Sequence, residues 1–142
     1  QFPENSDVDI CLIIREQIAL YDEIYASRGI TSSTHLPGTF IVSMNDSLAS
    51  TLISNLLKNA YIHSAPHTHI EVSLVGHTLK IANDGDTPLD ADHIFDRFYQ
   101  GHKKEGSTGL GLALVKAVCR YYNLSIAYRF EDGKHCFFID WE

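Results

Sequence analysis

Between Leu124 and Trp141 the chain must fold back on itself. Leu124, Ile126, Tyr128 and Phe130 alternate with other residues, Asp132-Gly133 follows, and a second β-rich run returns from Cys136 to Trp141. Alternation gives a strand one apolar face, and Asp-Gly between two such runs is a strong hairpin signal. Ile70, Val72 and Leu74, then Gly76-His77, then Leu79 and Ile81 read as a second hairpin of the same kind. Each hairpin has an apolar face to cover, so another layer has to lie against them.

Three helical patterns supply that layer. Ile10, Ile13, Ile14, Ile18, Tyr21, Ile24 and Tyr25 keep the three-and-four spacing of one helix face, with Asp7 or Asp9 as cap and Gly29 at the end. Leu48, Leu52, Ile53, Leu56, Leu57 and Ala60 form the stripe of a second helix, opened by Asn45 or Asp46 and ended by Pro66. A third runs from about Gly109 to Tyr122, with Leu110, Leu114, Ala117, Val118 and Tyr121 on one side. Ile30–Thr34 and Thr39–Ser43 read as short strands around the turn-prone His35–Gly38 insert. Residues 83 to 108 are rich in residues that break regular structure, interrupted by a helical island at Asp92–Tyr99; so long a loop is usually functional or mobile. The expected fold is α+β: a two-layer sandwich with a mixed, mostly antiparallel sheet of about five strands against three helices, one domain filling residues 1–142.

Four groups of residues carry possible chemistry. Asn55, Asn59 and His63 stack four apart on one face of the second helix. The two asparagine carboxamides can offer oxygen to a hard cation such as Mg²⁺, or simply cap or tie loops to the helix. Asn83, two residues before Gly85, can hydrogen-bond a purine amino group while the glycine permits close backbone approach; an ordinary Asn-Asp-Gly turn is the plain alternative. Phe95 and Phe98 suit an anchor for the long loop, with Arg97 directed to the other side, toward a phosphate. Gly106 to Leu112 opens the third helix with small residues, and free N–H groups at a helix start attract anions. It is neither a P-loop, since Ser107 stands where Lys is needed, nor a dinucleotide fingerprint, since Leu114 replaces the third glycine.

A formal charge of -7 argues against a nucleic-acid binder, so a bound phosphate must be met by backbone N–H groups, a metal or a few cations. Cys11, Cys119 and Cys136 are scattered, as expected of a reducing compartment, and the latter two sit among apolar residues as small hydrophobes. No apolar run approaches the roughly 20 residues that span a bilayer.

In this order and spacing the four groups resemble the N, G1, F and G2 boxes of the Bergerat-fold ATPase domain. Sensor histidine kinases share that domain with gyrase-type topoisomerases, mismatch-repair ATPases and a class of heat-shock chaperones. The resemblance covers essentially the whole chain, and the Phe95–Tyr99 and Gly109–Leu112 segments look most like the histidine kinase branch. It implies ATP and Mg²⁺ between the second helix and a lid at residues 86 to 107. Asn59 would ligate Mg²⁺, Asn55 position the phosphates and His63 flank the nucleotide. Asn83 would read adenine, with Gly85 as the close-approach glycine. Thr108, Gly109, Leu110, Gly111 and Leu112 would line the triphosphate, and Phe95 and Phe98 would anchor the lid. Arg97 and Lys103, with Lys104, are the cations left for phosphate.

The pattern departs at Asn83, usually Asp, at Ile62, often Lys, and at Gln100, often Arg. Those changes leave open a degenerate pseudokinase that signals by contacts. Asn55 stands where hydrolysing relatives carry a general-base Glu, which argues for holding ATP rather than hydrolysing it. No histidine here is followed by an acidic residue on a helix, so the phosphoacceptor is expected on a separate helical dimerisation domain N-terminal to Gln1. The resemblance further implies a response-regulator partner, a full-length homodimer and a cytoplasmic location below a membrane sensor.

Overall fold

The computed structural model describes residues 4–99 and 110–142. Its elements are β1 (Ser6–Asp9), α1 (Ile10–Tyr25), a short 3₁₀ turn, β2 (Thr31–His35), β3 (Ile41–Met44), α2 (Asp46–Ile62), β4 (His69–Val75), β5 (Thr78–Asp84), α3 (Gly111–Tyr121), β6 (Ser125–Glu131) and β7 (Lys134–Asp140). The main sheet has five strands in the order β2-β4-β5-β7-β6, with only β2–β4 parallel. This is the expected mixed, mostly antiparallel α+β sandwich.

Local chemistry sets the elements. Asp9 caps α1, its Oδ1 accepting from Cys11 N–H and, across the chain, from Phe40 N–H, both at 3.0 Å. Asn45 caps α2 by accepting from Leu48 N–H at 3.0 Å. Asp132 and Gly133 both have positive φ, 53° and 72°, the twist that a two-residue hairpin needs, and Glu131 pairs Lys134 across it. Arg15 donates to the carbonyls of Pro37 and Gly38, which holds the His35–Gly38 insert against α1.

All three helices lie on one side of the sheet. α2 is central, contacting α1, α3 and β5, while α1 reaches β2 and α3 reaches β6. Between the layers Ile14, Leu52, Ile53, Leu56, Leu57, Ile70, Leu79, Ile81, Val115, Phe137 and Ile139 are buried. The three cysteine thiols are buried and free; burial pushes the Cys119 thiol up to about 12, which suits a small apolar filler.

The structure corrects the sequence reading in five places. β1 was not expected; it pairs antiparallel with β3 in a separate two-stranded sheet, so the two runs flanking the His35–Gly38 insert go to different sheets. α2 ends at Ile62, before Pro66, with His63 as its cap. Asp92–Tyr99 is a series of turns rather than a helix; Asp90 organises it by accepting from the N–H groups of Asp92, His93 and Ile94. α3 begins at Gly111 rather than Gly109. Its core side is Val115, Val118 and Cys119, whereas Leu114 and Tyr121 are exposed. That helix is apolar on both faces, so spacing alone did not select the buried one.

The first strand joins a polar knot. Tyr122, just beyond α3, accepts from Asn45 N–H at 2.9 Å and donates to Asn5 Oδ1 at 2.7 Å, while Asn45 Nδ2 donates to the Glu4 carbonyl at 3.0 Å.

Candidate functional site

The seam between α2 and α3 brings the first and fourth residue groups together. Asn55 sits on α2 with its Nδ2 donating to the Thr51 carbonyl at 2.9 Å, so its Oδ1 is the end left to face α3. Gly111 begins α3 opposite it: a Cβ there would lie 3.1 Å from Asn55 Oδ1. Any larger residue would need the amide to give by a few tenths of an ångström, so glycine suits this close approach. Asn59 follows one turn later, half-buried, and His63 closes the helix. Leu110 is exposed in the turn before Gly111, and Leu112 packs partly into the core.

The second group lies at the end of β5. Asn83 is 2% exposed, and its Nδ2 donates to the Asp84 carbonyl at 3.3 Å, which leaves its Oδ1 as the acceptor it presents. Gly85 packs against the His135 ring, where any Cβ would collide with the imidazole. Lys134 closes the strand end through Asp84 at 2.8 Å, and that contact raises its pKa.

The third group divides. Phe95 is partly buried, edge-on to Phe137 with ring centroids 6.0 Å apart, and Lys116 of α3 lies 5.7 Å over it. Phe98 is 55% exposed and does not anchor the segment; Ile94 and Tyr99 do so beside Phe95. Arg97 is not directed away from the aromatics: its guanidinium stacks 5.0 Å over the Phe98 ring. A left-handed backbone at Phe98, φ 61°, turns that ring outward. Lys103, Lys104, Thr108 and Gly109, together with Gln100 and the far part of the expected lid, lie outside the described residues.

Residues 44–140 match the family model of histidine kinase-, DNA gyrase B- and HSP90-like ATPases. The chain belongs to that family. Within this ATPase domain the match runs from the residue before the α2 cap to the end of β7, and so includes Asn55, Asn59, Asn83, Gly85 and Gly111. Among curated proteins it is similar to the sensor-like histidine kinase SenX3 of Mycobacterium tuberculosis H37Rv, 29% identical over 136 residues, covering 89% of this chain and 33% of SenX3. The heme sensor protein HssS of Staphylococcus haemolyticus is 31% identical over 97 residues, covering 63% of this chain and 21% of that protein. The chain thus spans a third or less of the length of these relatives. Its fold is like that of the mycobacterial sensor histidine kinase MprB, with TM-score 0.83 at 21% identity over 95% of both chains. The catalytic domain of histidine kinase ThkA, in a nucleotide-free form, gives 0.83 at 17% identity, covering 96% of this chain and 93% of that one.

The ATPase domain also contains polar residues that the sequence reading passed over. His135 lies opposite Asn83 in the β5–β7 register and bonds Tyr128, whose hydroxyl also accepts from Leu89 N–H. The available signal was the alternation itself: His135 occupies the core-facing phase shared by Phe137 and Ile139. Lys116 was hidden within an apolar helix. His69 bonds the hydroxyls of Thr31 and Ser33 at 2.7 and 2.9 Å.

Proposed function

We propose that the domain binds ATP with Mg²⁺ along the α2–α3 seam and the end of β5, and transfers the γ-phosphoryl group to a histidine on a separate helical domain. ATP binding follows from the family; the transfer and its partners are our reading. The observation that carries it is the closeness of Gly111 to Asn55. An anion-seeking helix start and an amide oxygen face each other where a side chain would fill the gap.

The donor set fits the metal. Asn59 and Asn55 supply neutral amide oxygens, and a hard cation that keeps several waters needs few protein ligands. Mg²⁺, when bound, would neutralise phosphate charge. The chain's own residues do the positioning. The backbone at Leu110 and Gly111 offers N–H groups to the polyphosphate, Asn83 Oδ1 accepts from the adenine amino group, and Lys116 lies near enough to Phe95 to add a cation to that wall. The incoming imidazole nitrogen bonds to the γ-phosphorus while the bond to the bridging oxygen breaks, ADP leaves, and the imidazole gives up its N–H proton to solvent. Asn55 is no base at neutral pH, so water is not activated in competition.

Calorimetry with ATP and ADP, with and without Mg²⁺, tests the binding step; no binding at millimolar nucleotide rejects the proposal. The transfer step is tested with radiolabelled ATP on a protein that carries its acceptor helices. A labelled histidine supports the kinase, whereas binding without label favours a pseudokinase, the reading suggested by the uncharged Asn83. We place the whole protein in a two-component pathway, as a cytoplasmic homodimeric kinase region acting on a response regulator. Residues 1–142 would form its one catalytic domain.

A further inference from the structure

Asn83 and His135 are direct cross-strand partners, so their side chains share the helix-facing side of the sheet. They are 2% and 5% exposed. Their row continues with Ile70 beside Asn83 and Phe130 beside His135, which leaves two polar groups in the middle of an apolar line. Stability alone would favour apolar residues at both positions.

The ring's proton can be placed. Tyr128 is buried, its hydroxyl accepts from Leu89 N–H at 3.0 Å, and the same oxygen lies 2.7 Å from His135 Nδ1. A buried phenol avoids leaving its own proton unbonded by donating it to Nδ1. The neutral imidazole then carries its hydrogen on Nε2, the edge that lies against Gly85. Burial depresses the imidazole pKa, which suits the neutral form.

This ring braces the residue that orients Asn83. Gly85 is held between the imidazole and the Gly133 carbonyl, which accepts its N–H at 2.9 Å. The Asp84–Gly85 peptide is thereby fixed, and its carbonyl is the acceptor for Asn83 Nδ2. An asparagine without such a partner reads either purine edge, because rotating the amide exchanges donor and acceptor. We propose that His135 is a positioning residue for base recognition, bracing the Asp84–Gly85 peptide so that Asn83 presents its oxygen and the site takes an adenine-type base over a guanine-type one. An adenine amino group meets that oxygen as a donor; a guanine carbonyl meets it as a second acceptor. The inference rests on the nucleotide reading above.

The experiment measures calorimetric affinities of ATP, GTP and inorganic tripolyphosphate, each with Mg²⁺, for the 142-residue chain and its variants. In His135→Ala and Tyr128→Phe, ATP affinity should fall about tenfold, the scale of one well-placed hydrogen bond, with the preference over GTP shrinking in step. Tripolyphosphate, which has no base, should change by less than about twofold, well inside that same scale. Tyr128→Phe keeps the ring and guards against simple unfolding of the alanine variant. His135→Asn retains an acceptor toward Tyr128 and should recover part of the preference. An unchanged ATP-to-GTP ratio in both variants, or tripolyphosphate weakening alongside ATP, overturns the inference and leaves the nucleotide reading standing. A wild-type chain that binds tripolyphosphate but neither nucleotide overturns both.

Discussion

α2 has two neighbours, and the two seams are built differently. Toward α1 it is sewn shut. Tyr61 donates to Asp22 at 2.6 Å, Tyr21 meets Ser54 at 2.8 Å, Gln17 donates to the Ser50 carbonyl, and Ile10, Ile14 and Ile18 fill the space below. Burial and the bond to Asp22 both push the Tyr61 phenol pKa up, the mark of a hydroxyl committed to structure. Toward α3 the contact is made by Gly111 against an amide, and the sheet beneath carries buried polar groups at Asn83 and His135. The first seam closes most of its polar groups on one another, Gln17 Oε1 excepted, whereas the second has the Asn55 and Asn83 amides bonded, among the described residues, through nitrogen alone. The difference separates a side that supplies stability from a side that uses it.

Substitutions can break or sharpen this contrast. The largest effect is expected at Gly85→Val, whose side chain collides with the His135 ring: we predict about 2–4 kcal/mol lost in chemical denaturation, together with loss of nucleotide binding. Next is Asn59→Ala, which should cost tenfold or more in Mg²⁺-dependent ATP affinity by calorimetry, about 1.4 kcal/mol, while shifting unfolding by less than about 0.5 kcal/mol. Tyr61→Phe is its mirror image on the closed seam: about 1–2 kcal/mol less stable, with ATP affinity unchanged. An equal loss of ATP affinity in that variant would erase the distinction between the seams.

The smallest effect is a pH dependence. The folded pKa of His135 lies below its ordinary 6.5, so the unfolded chain binds the proton more readily. Stability from this site is full above the unfolded value and is lost as pH falls through it toward the folded one. Thermal melts at about pH 7.5 and about pH 5 should show a fall that His135→Asn reduces.

The layers were legible in sequence because each apolar period names its own element. The α2 stripe and both hairpins are where alternation and spacing put them, and Asp132-Gly133 turns where its composition predicts. Failures came where one residue run satisfies two patterns. α3 is apolar on both faces, so its buried side was set by α2 and β6 rather than by its own spacing. Phe95-x-x-Phe98 looked like one anchor, but a left-handed backbone at Phe98 separates the two rings. β1, four residues with a single buried side chain, has no period long enough to read, and the bond pattern of Asp9 depends on Phe40, thirty-one positions away. The residues of the proposed site were chosen by type and spacing. The role of His135 needed the β5–β7 register, which only the fold supplies.

The knot at Tyr122 has a mechanical consequence. One phenol grips the start of α2 through Asn45 and the first strand through Asn5, while belonging to the residue that ends α3. A pull or twist applied at the chain's beginning therefore loads two helices at once, through a single oxygen remote from Gly111.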